Sequence, residues 1–286
     1  MKTALNRTGT AAPLKILAKT GKWAYIIIFL ALTFLPLVWL VLSSFKTNFE
    51  FETQTFSLPR VWMWSNYANA MSMAGFPWLF LNSIIVASCT TVLNSLIASM
   101  GAFAISREKF RFQNTLLNII VAGVLIPIIA LMVPYFKIIN TLGIYDTLLG
   151  LIITYSAINI PISVFLIHGF MGSLPKELEE AAVIDGCSFS QRFTRVVFPL
   201  TKPGLVTAGT FVFIFCWNEF IYAMLLTSSE AARTLQLGIR FFRSQFVVDY
   251  TSMLAAIVIT MIPTILVYVF LHDKIISGLT SGAVKG

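Results

Sequence analysis

Six apolar stretches, each about twenty residues long, constrain this chain more than any other feature. They cover residues 23–45, 78–104, 116–136, 147–167, 205–226 and 252–271, and only the fifth contains a charged residue, Glu219. A helix rises 1.5 Å per residue, so ~20 apolar residues match a ~30 Å hydrocarbon layer. A backbone in that layer must satisfy its own hydrogen bonds, which leaves helices as the reading for uninterrupted runs of this length. The expected fold is therefore an all-α membrane protein with six transmembrane helices. With 57% hydrophobic and 11% charged residues and a mean hydropathy of +0.84, little chain remains for a soluble domain.

The basic residues set the orientation. Fourteen of the 20 Lys and Arg fall in the 1–22 tail, the loops after the second and fourth spans, and the end of the chain; six fall on the other side. The richer side is expected to be cytoplasmic, which places both termini inside. This distribution accounts for the net charge of +8, and nucleic acid is not an expected partner. The first span is longer than a ~7–15-residue signal-peptide core and has no A-x-A site after it, so it reads as a retained anchor. Cys89, Cys187 and Cys216 form no CxxC pair, which argues against a disulfide framework or a zinc site. Trp62, Trp64, Tyr67 and Trp78 suit a belt at the outer interface, with a short helix lying on the membrane.

The loop 171–202 holds Glu177, Glu179, Glu180 and Asp185, a third of all the acids, which the orientation rule does not require. Pro175 followed by three Glu suits a helix start, with acids at the positive end of the dipole. Gly186 suits a helix end. Ser188 and Gln191 have capping-box spacing for a second helix. Phe189 and Phe193, four apart, share a face, and Phe198 before Pro199 marks a stop. Two readings stand on these residues: a docking surface for a partner, or a solvated amphipathic connector.

Glu180-Ala181-Ala182, then Asp185-Gly186, Phe193, Pro199 and Pro203 resemble the EAA loop of ABC importer permeases, with Phe198-Pro199 where Leu-Pro is usual. Trp217-Asn218-Glu219-Phe220, the stretch 235–242, and the ending Gly278-Leu279-Thr280-Ser281-Gly282-Ala283-Val284-Lys285-Gly286 are similar to the MalG-like carbohydrate branch. Residues 273–277 depart from that branch. The resemblance runs from Trp23 onward and implies a type I ABC importer permease fold. It divides the chain into a cytoplasmic tail (1–22), a six-helix domain (23–275) and a C-terminal tail (276–286).

That resemblance implies a bacterial inner-membrane, multi-pass subunit with a second, different permease, an ATPase dimer and an extracellular solute-binding protein as partners. The solute would be a sugar, oligosaccharide or glycoside, moved by alternating access. The ATPase-coupling set would be Glu180, Ala181, Ala182, Asp185, Gly186, Phe189, Arg192 and Phe193. Gly278, Thr280, Gly282 and Lys285 would touch the ATPase as well. The chain has no G-x-x-x-x-G-K-[ST] loop, nucleophile–base pair or metal cluster. It is thus expected not to be an enzyme and to bind no cofactor, with ATP and Mg on the partner. The alternatives are an ABC permease for a non-sugar solute and an ion-gradient-driven secondary transporter.

Polar residues at membrane depth cost free energy and call for an explanation. Asn82, Asn159, Trp217, Asn218 and Glu219 are the candidates for the solute path or its gate; interhelical hydrogen bonding is the competing reading for each. Glu219 is expected to face the bundle interior, paired with Asn218 or a polar group on another span. Tyr135 and Tyr155 are expected to pack between helices or stack on a sugar face, and His168 to be structural.

Overall fold

The computed structural model describes residues 11–72, 75–239 and 249–283, with side chains described between 19 and 273 of these. Among them there is no strand. Two compact units are delimited, Met1–Ala70 with Val248–Val258, and Met71–Val247 with Ile259–Gly286.

In the first unit, α1 (Ala11–Ser43) carries a 25-residue apolar stretch, Lys19–Ser43, whose side chains are almost all exposed. Exposure of Ile27, Phe29, Leu32 and Leu35 is what lipid-facing or subunit-facing helices show. Beyond α1 the chain folds tightly around Phe45 and Lys46. The fully buried Lys46 ammonium donates to the carbonyls of Gln54 (2.8 Å) and Thr55 (2.9 Å), which follow the short α2 (Asn48–Thr53). Asn66 of α3 (Ser65–Ser72) donates to the carbonyls of Ser44 and Lys46. Trp62, Trp64 and Tyr67, three of the four residues of the expected belt, gather on the buried Phe45 ring at 4.7–5.0 Å between centroids. Asp249 caps the start of α13 (Tyr250–Ala283), accepting from Ser252 N and Asn48 Nδ2.

The second unit is built on α4 (Phe76–Arg107), α7 (Leu148–Met171) and α10 (Lys202–Asn218). Small side chains let these helices approach. Gly209 of α10 lies against Thr91 of α4, and Gly204 sits so close to Phe170 of α7 that a Cβ would stand 2.7 Å from it. Ala98, Ala102, Val164, Ile167 and Ala208 fill one half of the core, and Ala87, Leu151, Tyr155 and Val212 the other.

Among the described residues, four helices are long and apolar enough to span a membrane unbroken, and up to six spans result when each of two bent pairs, 113–141 and 189–218, counts as one. Two expected continuous helices are corrected: the third span, which is one of those bent pairs, and the fifth, which breaks again beyond the second pair. The third span is two pieces, Gln113–Leu125 and Ile128–Thr141, bent by 99°. Their α-helical parts are α5 (Gln113–Ala122) and α6 (Met132–Thr141). Pro127 supplies no N–H and forces its predecessor out of the helical region, so Ile126 is extended, with ψ 122. The fifth span stops at Asn218, runs extended through Glu219 (ψ 130) and restarts as α11 (Ile221–Leu226). By contrast α7 runs through its own Pro161 without a break.

Candidate functional site

The loop after α7 folds as two short helices. The first, α8 (Glu177–Ile184), has Glu177, Glu179 and Glu180 in its opening turn. It closes with Gly186 at φ 81, where Cys187 N donates to Ala182 O (2.9 Å) and Gly186 N to Val183 O (3.0 Å). This double closure needs a left-handed residue, which glycine supplies without a steric penalty. The second, α9 (Phe189–Leu200), opens with the expected capping box between Ser188 and Gln191 and contains a π-helical stretch, Arg192–Val197. It runs past the expected stop at Phe198 to Leu200, then turns by 75° into α10.

Neighbours from α4 hold the pair. The Arg107 guanidinium sits 2.6 Å from Glu179, and both side chains are nearly excluded from solvent. The same guanidinium donates to the carbonyls of Met171 (2.8 Å) and Leu174 (3.4 Å), placing positive charge at the end of α7, where carbonyls lack helical partners. Arg192 bonds Glu108 at 2.8 Å and lies over the Phe189 ring. The Phe103 ring packs against Phe189 (4.9 Å) and Phe193 (5.2 Å).

The expected coupling residues divide accordingly. Ala182 is buried, Phe193 and Arg192 are half-buried against α4 and its extension, and Glu180, Ala181, Asp185, Gly186 and Phe189 are exposed. Leu178, Val183 and Ile184 add an exposed apolar strip, with Ile184 86% exposed. A cleft of about 490 Å³ opens beside them, lined by Lys109, Lys176, Glu180, Val183 and Ile184. The Arg107–Glu179 pair was not read from the sequence, although a signal existed: Glu179 and Ala182 are three apart and thus face inward together, turning Glu180 and Ala181 outward.

At membrane depth, Glu219 accepts from the Tyr155 hydroxyl of α7 (2.5 Å) and from the backbone N–H groups of Tyr222 (2.8 Å) and Ala223 (3.0 Å). Of the two expected partners, the polar group on another span is the one found, Tyr155; Asn218 instead donates to Ile214 O, one turn back, and is exposed. Asn159 donates to Tyr155 O (2.8 Å), and the buried Trp217 indole to Thr260 O (3.0 Å). Asn82 stands apart from these, donating to the carbonyls of Ala231 and Arg233 (both 2.9 Å) at the opposite end of the unit from α8. There Asp146, at φ 58, accepts from the N–H groups of Ser228 (2.7 Å) and Ser229 (2.9 Å). Burial raises the Asp146 carboxyl pKa, but these two bonds and the charge of Arg233 more than offset it and leave the group below its ordinary value. Nothing in the sequence reading pointed to Asp146.

Of the expected tail contacts, Gly278, Thr280 and Gly282 lie on α13, which continues to Ala283; Lys285 lies outside the described residues. The stretch 235–242 is described only to Ile239, as the short helix α12 (Leu235–Ile239).

Residues 94–280 match the family described as binding-protein-dependent transport system inner membrane component. The chain belongs to that family. The match takes in the second half of α4, α7, the α8–α9 pair, both breaks and nearly all of α13. The chain is 38% identical to the ABC transporter permease protein ORF2 of Caldicellulosiruptor sp. (strain Rt8B.4), over 96% of this chain and 100% of that protein. It is 36% identical to the trehalose/maltose transport system permease protein MalG of Thermococcus litoralis, over 88% and 91%. In fold it is similar to a bacterial ABC transporter involved in the import of the acidic polysaccharide alginate, with a TM-score of 0.77 at 24% identity, covering 95% of this chain and 99% of that one. This family member is a multi-pass helical membrane protein.

Proposed function

We propose that this chain is one of two different permease subunits of an ATP-driven importer in the bacterial cytoplasmic membrane. It receives a sugar, oligosaccharide or glycoside from an extracellular binding protein and passes it inward by alternating access. The observation that carries this reading is the α8–α9 pair: a helical surface fixed to α4 by two ion pairs, with Glu180, Ala181, Asp185 and Gly186 turned outward. A surface so fixed transmits force to the spans on which it is mounted. An ATPase dimer holding ATP and Mg seats there on the cytoplasmic face, the side to which the basic loops and both termini are assigned. The terminal residues Gly278, Thr280, Gly282 and Lys285 contact the same ATPase. The solute path runs beside the break at Asn218 and Glu219, with Asn159 and Trp217 holding backbone near it and Asn82 holding the backbone at Ala231 and Arg233 farther along. Carbohydrate as the solute class is supported by the trehalose/maltose relative.

The test begins with affinity purification from native membranes in mild detergent. An ATPase and a second permease are expected to accompany the chain, and their reconstitution with the binding protein to give ATP-dependent sugar uptake. Glu180→Lys, which reverses charge at the docking face, is expected to abolish uptake while the protein stays in the membrane. A chain that purifies alone and transports on an ion gradient overturns the reading; normal uptake by Glu180→Lys removes the docking assignment.

A further inference from the structure

The two spans that leave either side of the docking pair are tied together again at their far ends. Tyr155 lies sixteen residues before the end of α7, and Glu219 directly follows α10, so each stands roughly 25 Å of helix from the pair. There the Tyr155 hydroxyl meets the Glu219 carboxylate at 2.5 Å. The carboxylate also occupies the first free N–H groups of α11, at Tyr222 and Ala223, so the restart of the broken helix depends on it. The chain of bonds continues. The Tyr222 hydroxyl donates to Ile128 O at 2.7 Å, immediately beyond Pro127 in the break of the third span. That break leans on α7 too, since a Cβ on Gly123 would stand 3.0 Å from the Pro161 ring. The Tyr135 ring of α6 meets the Tyr222 ring edge-on at 5.7 Å.

We propose that Tyr155, Glu219, Tyr222 and the Ile128 carbonyl form a latch in series that makes the two broken spans move as one body with α7, with Tyr222 the positioning residue that carries motion from the fifth span to the third. The reading rests on the importer function proposed above. A carboxylate that accepts three donors on two oxygens has no equivalent in an amide, and a phenol that donates to a helix-break carbonyl has none in phenylalanine. Each link can thus be cut singly with its ring packing preserved. Cutting it frees one broken span from the other, so force from the docking pair no longer reaches both.

The experiment uses the complete importer in proteoliposomes, with Tyr222→Phe, Tyr155→Phe and the double variant. Two quantities are read: solute imported per ATP hydrolysed, and hydrolysis without solute. Simple loss of folded protein lowers both rates together and leaves their ratio unchanged. The latch predicts that the ratio falls about three- to tenfold in each single variant, the range for one lost hydrogen bond, and that the double variant is no worse than the worse single. An unchanged ratio in Tyr222→Phe, or a double variant equal to the product of the singles, overturns it. Amide hydrogen exchange at Tyr222 and Ala223 is measured on the same proteins without transport. Faster exchange in Tyr155→Phe supports the latch, and wild-type exchange there counts against it. Failure of the importer reading would show instead as a wild-type protein with no ATP-dependent import, whatever the exchange result.

Discussion

The two ends of the larger unit are held by different chemistry. At the α8–α9 end, charged side chains from α4 and its extension grip charged side chains of the loop: Arg107 on Glu179, Glu108 on Arg192. At the opposite end, Asn82 and Asp146 grip the backbone of the segment that follows α11, through carbonyls in one case and N–H groups in the other. Pairing side chains fixes the position of preformed helices and leaves their outward faces free. Pairing with backbone fixes the path of the 227–234 stretch, whose helix is a single turn, Glu230–Ala232. The first arrangement presents a surface; the second shapes a loop.

The comparison can be broken most severely at Glu179. Glu179→Ala leaves the buried Arg107 with carbonyl partners but no counter-charge and is expected to cost about 3–5 kcal/mol, seen as a large drop in the thermal unfolding midpoint in detergent. Glu108→Ala, which removes the more exposed pair, is expected to cost under about 1 kcal/mol in the same assay. Equal losses would show that burial does not separate the two pairs. At the other end, Asn82→Ala strips a donor from two carbonyls. A local cost of about 1–3 kcal/mol is expected, read as faster tryptic cleavage at Arg233 with little change in the global midpoint. The smallest effect is that of acid on Asp146. Its folded-state pKa is depressed, so its contribution is present above the unfolded value of ~3.9 and is lost as pH falls through the folded value. Amide exchange at Ser228 and Ser229 is expected to quicken only in strong acid, and Asp146→Asn to remove that dependence.

The difference between the ends also bears on what could be read from the sequence. The α8–α9 pair was legible because its signals are local: acids in a first turn, a glycine at the helix end, Ser188 and Gln191 three apart. Spans were legible from apolarity, but their continuity was not. Pro127 and Pro161 look alike in sequence, yet one sits at a 99° bend and the other inside an unbroken helix. What separates them is the neighbourhood, since Pro161 is packed against Gly123 of the bent span itself. The break at Glu219 carries no proline or glycine at all; a carboxylate caps the restarted helix in their place. Residues whose work lies between distant segments, Arg107 with Glu179, Tyr155 with Glu219, Asp146 with Ser228, could be named as polar or charged but not paired, because nothing in one sequence joins positions so far apart.

The ion pair of Arg107 and Glu179 also bears on the order of biogenesis. Arg107 ends the second span and Glu179 follows the fourth, so the brace cannot form until the ribosome has delivered both and the intervening spans have been inserted. A chain whose second span is misthreaded has the α8 sequence but no seat for it. The brace therefore marks insertion through the fourth span, and it forms only in bundles whose second and fourth spans have met.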